Sequence, residues 1–294
     1  METPQVMEID LHTHSALSDG TDLIPELLGA ARLAGLDAIA LTDHDTMDGV
    51  ELARSYGLSV GIEVLPGIEM SADLEIDGGT TTTLHLLAYG PQPTNPGLQE
   101  LLQKVREHRR LRIPHMLELL SQLGMPLDIE ELGTYSSQAV SIGRPHVADA
   151  MVDHGYVSSR DQAFQEYLYE GGPAYVDRYT PSLTQAAQVI EQAHGLIVLA
   201  HPWGRGKARL LTPDVIAKVA TAAGLYGIEV DHVDHTVGER QRLRDLANDL
   251  GLAATGSSDY HGKGKTRNPL GVFRTDPGVY QAIRTTIKER GGLL

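Results

Sequence analysis

Residues 7–14 read Met-Glu-Ile-Asp-Leu-His-Thr-His, an apolar-rich run that turns polar at its end, as a short strand does when it finishes at a site. The segments around it set the fold. IPELLGAARLAGL (24–36) has apolar residues at helical spacing, with Pro25 at a helix-start position and Gly35 near the stop. DAIALT (37–42) is the next strand, and TMDGVELARSYG (46–57) the next helix. VLPGIEMSA (64–72) and TTLHLLAYG (82–90) are two further strands. Strands that alternate with helices predict parallel pairing and an α/β fold.

The pattern changes at the turn-rich PQPTNPG (91–97). From there to Pro181 the chain reads as helices: a long one near 97–123, one after GRPHVADAM (143–151), and one at SSRDQAFQEYL (158–168). Alternation resumes with GLIVLAHP (195–202), GIEVDH (227–232) and AATGSSD (253–259). Seven strands interrupted once predict a barrel made of 1–92 and 182–294, with 93–181 inserted as a helical cap. Each candidate strand ends in a functional-looking cluster: DLHTH, LTDHD, GIEMS, LHLLAYG, LAHP, SSDYH. The C-terminal ends of strands form the working face of such barrels, so these clusters should converge.

Composition narrows the function. A formal charge of −15 over 294 residues argues against a protein that coats nucleic acid. It allows a small anionic substrate, because cations and arginines can reverse the field within one pocket. With no cysteine, disulfides and thiolate ligands are excluded. There is no leader-like start and no bilayer-length apolar run, so a cytoplasmic location with no membrane association is expected, and no obligate protein partner is evident.

His12 and His14 are two apart in an extended segment, so both imidazoles point the same way and can grip one cation. Asp19 follows in a Ser-Asp-Gly turn. His44, Glu69, His85, His201, Asp259 and His261 complete nine groups at strand ends or the turns after them. Singly, each has an ordinary explanation: Asp19 as a turn residue, Glu69 as a surface carboxylate, His85 as a satisfied core histidine. Nine in succession do not. Imidazole plus carboxylate without thiolate suits Mn, Fe, Zn or Mg.

In order and spacing, HTHSALSDG, LTDHD, GIEM, LAHP and SDYH resemble the successive motifs of the PHP (polymerase and histidinol phosphatase) superfamily across nearly the whole chain. The resemblance implies a distorted (β/α)7 TIM-like barrel with two or three divalent ions at its mouth, manganese foremost. It implies that His12, His14, Glu69 and Asp259 hold one ion, that Asp19, His44 and His261 hold a second, and that His85 and His201 hold a third with Glu69 bridging.

The insertion carries EHRRLRIPHM (107–116), where Arg109 and Arg112 fall on the continuing apolar stripe and Pro114 should kink the helix. These arginines read as an anion clamp or as a solvated basic face. Arg144, before Pro145 and His146 at a helix start, offers a second anion site. KGKTRNPLG (263–271) reads as a solvated loop or a lid over substrate.

Within the superfamily, an arginine-bearing cap with a GRPH segment is similar to the nucleotide-phosphatase branch. That implies removal of the 3′-phosphate from 3′,5′-nucleotide bisphosphates through a metal-bridging hydroxide, and trimming of short 5′-phosphorylated RNA. His232 and His235 would lie near the mouth, His232 touching substrate, and Asp45 and His235 are the candidate leaving-group acids. Four other readings compete. A histidinol-phosphate phosphatase suits a multi-arginine pocket poorly, since its substrate carries one phosphate and an amine. A polymerase-linked exonuclease would act here as a separate subunit. A non-catalytic regulatory module would show a degraded ligand set. The arginines also favour phosphoryl chemistry over the deaminases and amidohydrolases that share the H-x-H pair.

Overall fold

The computed structural model describes residues 6–76, 79–135, 139–140 and 142–294. Seven strands form one sheet in sequence order: β1 (Ile9–Thr13), β2 (Ala38–Leu41), β3 (Glu63–Ile76), β4 (Thr80–Tyr89), β5 (Leu196–Leu199), β6 (Gly227–Asp231) and β7 (Ala253–Gly256). β1 meets the chain just past β7: the His14 amide donates to the Tyr260 carbonyl at 2.9 Å, and Thr13 bridges Tyr260. The sheet thus closes nearly into a barrel.

Not all of it is parallel, as the alternation predicted. β1–β2–β3 and β5–β6–β7 are parallel, but β3 pairs β4 antiparallel from Gly67↔Tyr89 to Ile76↔Thr80, and β4 pairs β5 antiparallel. The cause is local. Only three residues lie between Ile76 of β3 and Thr80 of β4, too few for the crossover that a parallel neighbour needs.

The helices are α1 (Ile24–Leu33), α2 (Val50–Val60), α3 (Pro96–Gln122), α4 (Ile129–Tyr135), α5 (Arg144–Asp153), α6 (Arg160–Ala163), α7 (Leu183–Gln192), α8 (Pro213–Ala223), α9 (Val237–Asp249) and α10 (Pro277–Arg290). α1 begins with Pro25 inside its first turn, and α3 with Asn95, whose side chain accepts from the Leu98 amide at 3.0 Å. α3 runs unbroken through Pro114, although the ring leaves the Arg110 carbonyl without its helical donor.

Two apolar layers support the site. Ile9, Leu11, Ala38, Ala40, Leu65, Leu87 and Val198 cluster with Tyr280, Ile283 and Ile287 of α10. Ile68, Met70, Leu84, Leu86 and Leu199 pack with α3, α7 and α8. Between β4 and β5 a further core forms from Ile113, Met116, Leu120, Leu132, Val147, Met151 and Leu168. α3 belongs to both, with Leu98, Leu101 and Leu102 on the barrel and Ile113, Met116 and Leu120 in the helical segment. It is therefore a strut that fixes one to the other.

Candidate metal centre

His12 and His14 leave β1 fully buried, and Glu69 lies in the middle of β3, bridged to His44. Glu69 Oε2 is 3.2 Å from His12 Nε2, His14 Nε2 and His44 Nδ1. Its Oε1 is 2.7 Å from His85 Nδ1 and 3.2 Å from His201 Nε2. One carboxylate therefore faces five imidazoles. Asp259 Oδ1 lies 3.4–3.5 Å from His12, His14 and His261. Asp19 Oδ1 is 3.3 Å from His261 Nε2, and its Oδ2 is 3.7 Å from His44 Nε2.

The Asp19 turn folds onto His14 because residue 20 is glycine. A Cβ there would lie 2.6 Å from the His14 carbonyl oxygen. His201, Asp259 and Asp45 all have positive φ, a strain that active sites tolerate when the surroundings enforce it.

All nine predicted ligands therefore come together. They form three overlapping donor groups: His12, His14, Glu69 and Asp259; His14, Asp19, His44 and His261; and His44, Glu69 and His85, each with ligand atoms within 4.8 Å of one another. His14 joins the Asp19 group as well as its own, while His201 reaches the cluster through Glu69.

The donors suit divalent cations. His12 Nε2, both nitrogens of His14, His44 Nδ1, His85 Nδ1 and His261 Nε2 are buried without a hydrogen bond among the described residues. Burial, only partly offset by Glu69 and its neighbours, pushes His44 down to about 3 and His201 to about 4. Burial and the charges of Lys265 and His14 push His261 to about 4. Despite burial, the surrounding imidazoles hold Glu69 and Asp19 well below the usual carboxylate range; at Asp259, Lys265 joins them. Neutral imidazoles and ionised carboxylates are the forms that bind metal. His12 and His14 are the exceptions: against burial, Glu229, Glu69 and Asp259 hold His12 well above its ordinary range, and Asp259 and Glu69 raise His14 to about 9. A proton there stands where a cation would.

Supporting groups complete the centre. Glu229 accepts from His12 Nδ1 at 3.0 Å, from the His201 amide at 2.7 Å and from Ser257 Oγ. Asp43 accepts from the Ser15 amide and from the Ser15 and Ser18 hydroxyls at 2.6–2.8 Å, which fixes the Asp19 turn. Sequence reasoning missed both. The signals were Asp43 in the TDHD segment and Glu229 inside the GIEVDH strand, each overshadowed by the histidine in its segment.

The two acid candidates are both engaged by other groups. His235 is buried, its Nδ1 donates to the Val230 carbonyl at 2.8 Å, and its Nε2 accepts from the Trp203 amide at 3.2 Å. Both nitrogens are thus committed to backbone groups. Asp45 pairs with Arg109 at 2.5 Å; against its burial, Arg109 and then Arg178 hold its carboxyl below the usual range, so it stays ionised. Arg109 is accordingly spent on Asp45 and lines neither cleft described below. His232 and His146 also turn inward. His232 Nε2 lies 3.3 Å from Asp259 Oδ2 while its Nδ1 accepts from the Asp234 amide, and His146 Nδ1 accepts from the Gly143 amide at 3.0 Å.

Two clefts open over the centre. The inner one is lined by Asp19, His44, Glu69, His85, His201, Asp259 and His261, with Arg160, Arg205 and Lys265 at its rim. The outer one, about 1550 Å³, is lined by Arg112, Arg144, Arg178, Arg205 and Lys207 among others. Arg112 and Arg144 thus meet the expectation of facing a cleft. Arg178 and Lys207, from segments without a motif, were not foreseen. The loop 263–271 is anchored: Lys265 pairs with Asp259 Oδ2 at 2.5 Å, Asn268 donates to the Ser258 carbonyl at 2.7 Å, and the Gly271 amide donates to Asp10 at 2.9 Å.

A barrel whose strand ends gather imidazoles and carboxylates beneath a cationic cleft defines a metal-dependent hydrolase of anionic esters. The PHP domain model matches residues 10–199. The chain is 33% identical over 260 residues to a phosphoribosyl 1,2-cyclic phosphate 1,2-diphosphodiesterase of Eggerthella lenta, covering 86% of this chain and 94% of the relative. It is 31% identical over 282 residues to a 3′,5′-nucleoside bisphosphate phosphatase of Chromobacterium violaceum, covering 96% and 97%. A solved structure from Bifidobacterium adolescentis, described as a metal-dependent phosphoesterase, superposes with a TM-score of 0.87 at 32% identity, covering 97% and 98%. The chain belongs to the PHP family and is a hydrolase of phosphoester bonds.

Proposed function

We propose that the chain removes the 3′-phosphate of 3′,5′-nucleotide bisphosphates such as adenosine 3′,5′-bisphosphate. The observation that carries this is the pairing of a ligand-lined inner cleft with an outer cleft in which Arg112, Arg144 and Arg178 make no ion pair among the described residues, whereas Arg160 and Arg267 there are paired with Asp149 and Asp234. Burial, and then Arg144, Arg109 and Arg178, push Arg112 down to about 8, and burial with Arg109 pushes Arg178 to about 10. Guanidiniums hold their protons in proteins, so such crowding favours a bound anion rather than a neutral arginine. One phosphate then sits over the His/Asp/Glu cluster and the second on Arg112, Arg144 and Arg178.

Two or three divalent ions, Mn first among Mn, Zn, Fe and Mg, fit the donor set. When bound, they supply Lewis-acid polarisation of the phosphoryl group and a water acidic enough to attack at neutral pH. The chain's own residues do the rest. Glu229 orients His12, His232 and Lys265 orient Asp259, and Asp43 holds the Asp19 turn. The helical segment 93–181 supplies Arg112, Arg144 and Arg178 as the substrate-binding cap. No helix among the described residues is long and apolar enough to cross a membrane. A nucleotide substrate suits a cytoplasmic enzyme without an obligate partner.

A phosphate-release screen with Mn²⁺ tests this. It compares adenosine 3′,5′-bisphosphate, phosphoribosyl 1,2-cyclic phosphate, histidinol phosphate, mononucleotides and short 5′-phosphorylated RNA. The bisphosphate should lead; a lead for histidinol phosphate or the cyclic ester would reassign the substrate.

A further inference from the structure

After β5 the chain makes a tight turn, Gly204–Arg209, in which Arg205 has a φ of 55°. Left-handed backbone costs a residue with a Cβ on the order of 1–2 kcal/mol. The described non-glycine residues with positive φ are Asp45, His194, His201, Arg205 and Asp259. His201 and Asp259 are candidate ligands, and Asp45 follows a third ligand, His44. Arg205 therefore keeps company with the metal centre in its strain as well as its position.

Its side chain is nevertheless exposed and makes no hydrogen bond or ion pair among the described residues. The strain is not repaid by a protein contact. Two arginines line both clefts, Arg160 and Arg205. Arg160 is committed, to Asp149 through its Nε and Nη2 and to the Asp19 carbonyl at 3.1 Å through its Nη1. Arg205 is the free one. Its charge reaches both sides. It lines the inner cleft with His85 and His201 and the outer cleft with Arg144 and Lys207.

We propose that Arg205 is a catalytic residue that bridges the two clefts, its guanidinium contacting the scissile phosphoryl group beside His85 and neutralising charge as the ester bond breaks. This rests on the phosphoesterase reading above. A water oxygen bonds to phosphorus and gives up a proton. The ester P–O bond breaks with its electron pair on the departing oxygen, and that oxygen gains a proton from solvent. Arg205 keeps its own protons throughout and offers a two-pronged donor to the phosphoryl oxygens. The left-handed backbone is what aims an exposed arginine inward from a short turn.

Arg205→Asn is the informative variant, because asparagine tolerates positive φ and removes only the cation. Arg205→Lys keeps the charge and loses the fork. The measurements are kcat with Mn²⁺ on adenosine 3′,5′-bisphosphate and on p-nitrophenyl phosphate, inorganic phosphate affinity by calorimetry, metal content and melting temperature. Arg205→Asn should lose about a hundredfold in kcat on both substrates and bind phosphate more weakly, with wild-type metal content and melting temperature. Arg205→Lys should recover part of the loss. Wild-type kcat in Arg205→Asn overturns the proposal and leaves the phosphoesterase reading standing. A loss that tracks lost metal or a lowered melting temperature makes the residue structural and also overturns it. A wild-type protein inactive on every phosphoester overturns that reading and the proposal with it.

Discussion

Glu229 Oε1 accepts a hydrogen bond from His12 Nδ1 at 3.0 Å, which turns the other ring nitrogen, Nε2, toward Glu69 and Asp259. A carboxylate behind a metal-binding imidazole fixes its tautomer and raises its basicity. Glu229→Gln should therefore weaken divalent-metal affinity about 10–100-fold. Excess Mn²⁺ should restore most of kcat. Calorimetric titration of the apoprotein checks this, and unchanged affinity would mean that Glu229 only packs.

Glu69 faces five imidazoles through its two oxygens. Glu69→Ala, and likewise His14→Ala, should abolish turnover and lower the number of bound ions while circular dichroism stays unchanged. Full turnover in metal-stripped wild type would sink the metal requirement itself.

Protons and cations compete at His14. Against its burial, Asp259 and Glu69 raise it from 6.5 to about 9 in the metal-free protein. A raised folded pKa stabilises below the unfolded value and loses that stabilisation as pH rises toward the folded one. The apoprotein should therefore melt at progressively lower temperature between pH 6.5 and 8. Burial gives His44, His201 and His261 the opposite shift, to about 3 to 4, so the apoprotein should also lose stability as pH falls below 6.5. Metal affinity should rise over pH 6.5–8, with protons released on binding. Scanning calorimetry of apo and Mn²⁺-loaded protein at several pH values reads both trends.

Arg109 and Arg144 should behave differently, although the sequence offers them as one clamp. Arg109 neutralises buried Asp45, so Arg109→Ala should cost on the order of 3 kcal/mol of stability by leaving that charge unpaired. Arg144 donates to the Leu168 carbonyl at 3.0 Å and lines the outer cleft. Arg144→Ala should raise KM for the bisphosphate about tenfold or more, as loss of one charge-assisted bond implies, with little change for p-nitrophenyl phosphate. Equal effects on both substrates would remove Arg144 from the second phosphate.

The ligand set was legible in the sequence because the strands impose order: His12 and His14 share a face by period two, the His44, His201 and Asp259 motifs follow strand ends, and Glu69 and His85 lie within β3 and β4. The antiparallel β3–β4–β5 core was less legible, since pairing direction depends on the shortness of the link between Ile76 and Thr80 rather than on either strand's pattern. The roles of Asp45, His235 and His232 were not legible at all. Proximity to a motif does not reveal which nitrogen is already bonded, and those partners, Arg109, Trp203 and Asp259, are remote in sequence. Arg178 and Lys207 lie in no recognisable motif, and Arg205, four residues past His201, carried no signal of its own; the fold sets all three around the clefts.

The most direct measurement of the two-cleft arrangement is kcat/KM of the Mn²⁺-loaded protein for adenosine 3′,5′-bisphosphate against adenosine 3′-monophosphate. The two differ only by the phosphate assigned to Arg112, Arg144 and Arg178. A preference of about a hundredfold or more for the bisphosphate is expected from two charge-assisted contacts. Equal values for the two substrates would contradict it.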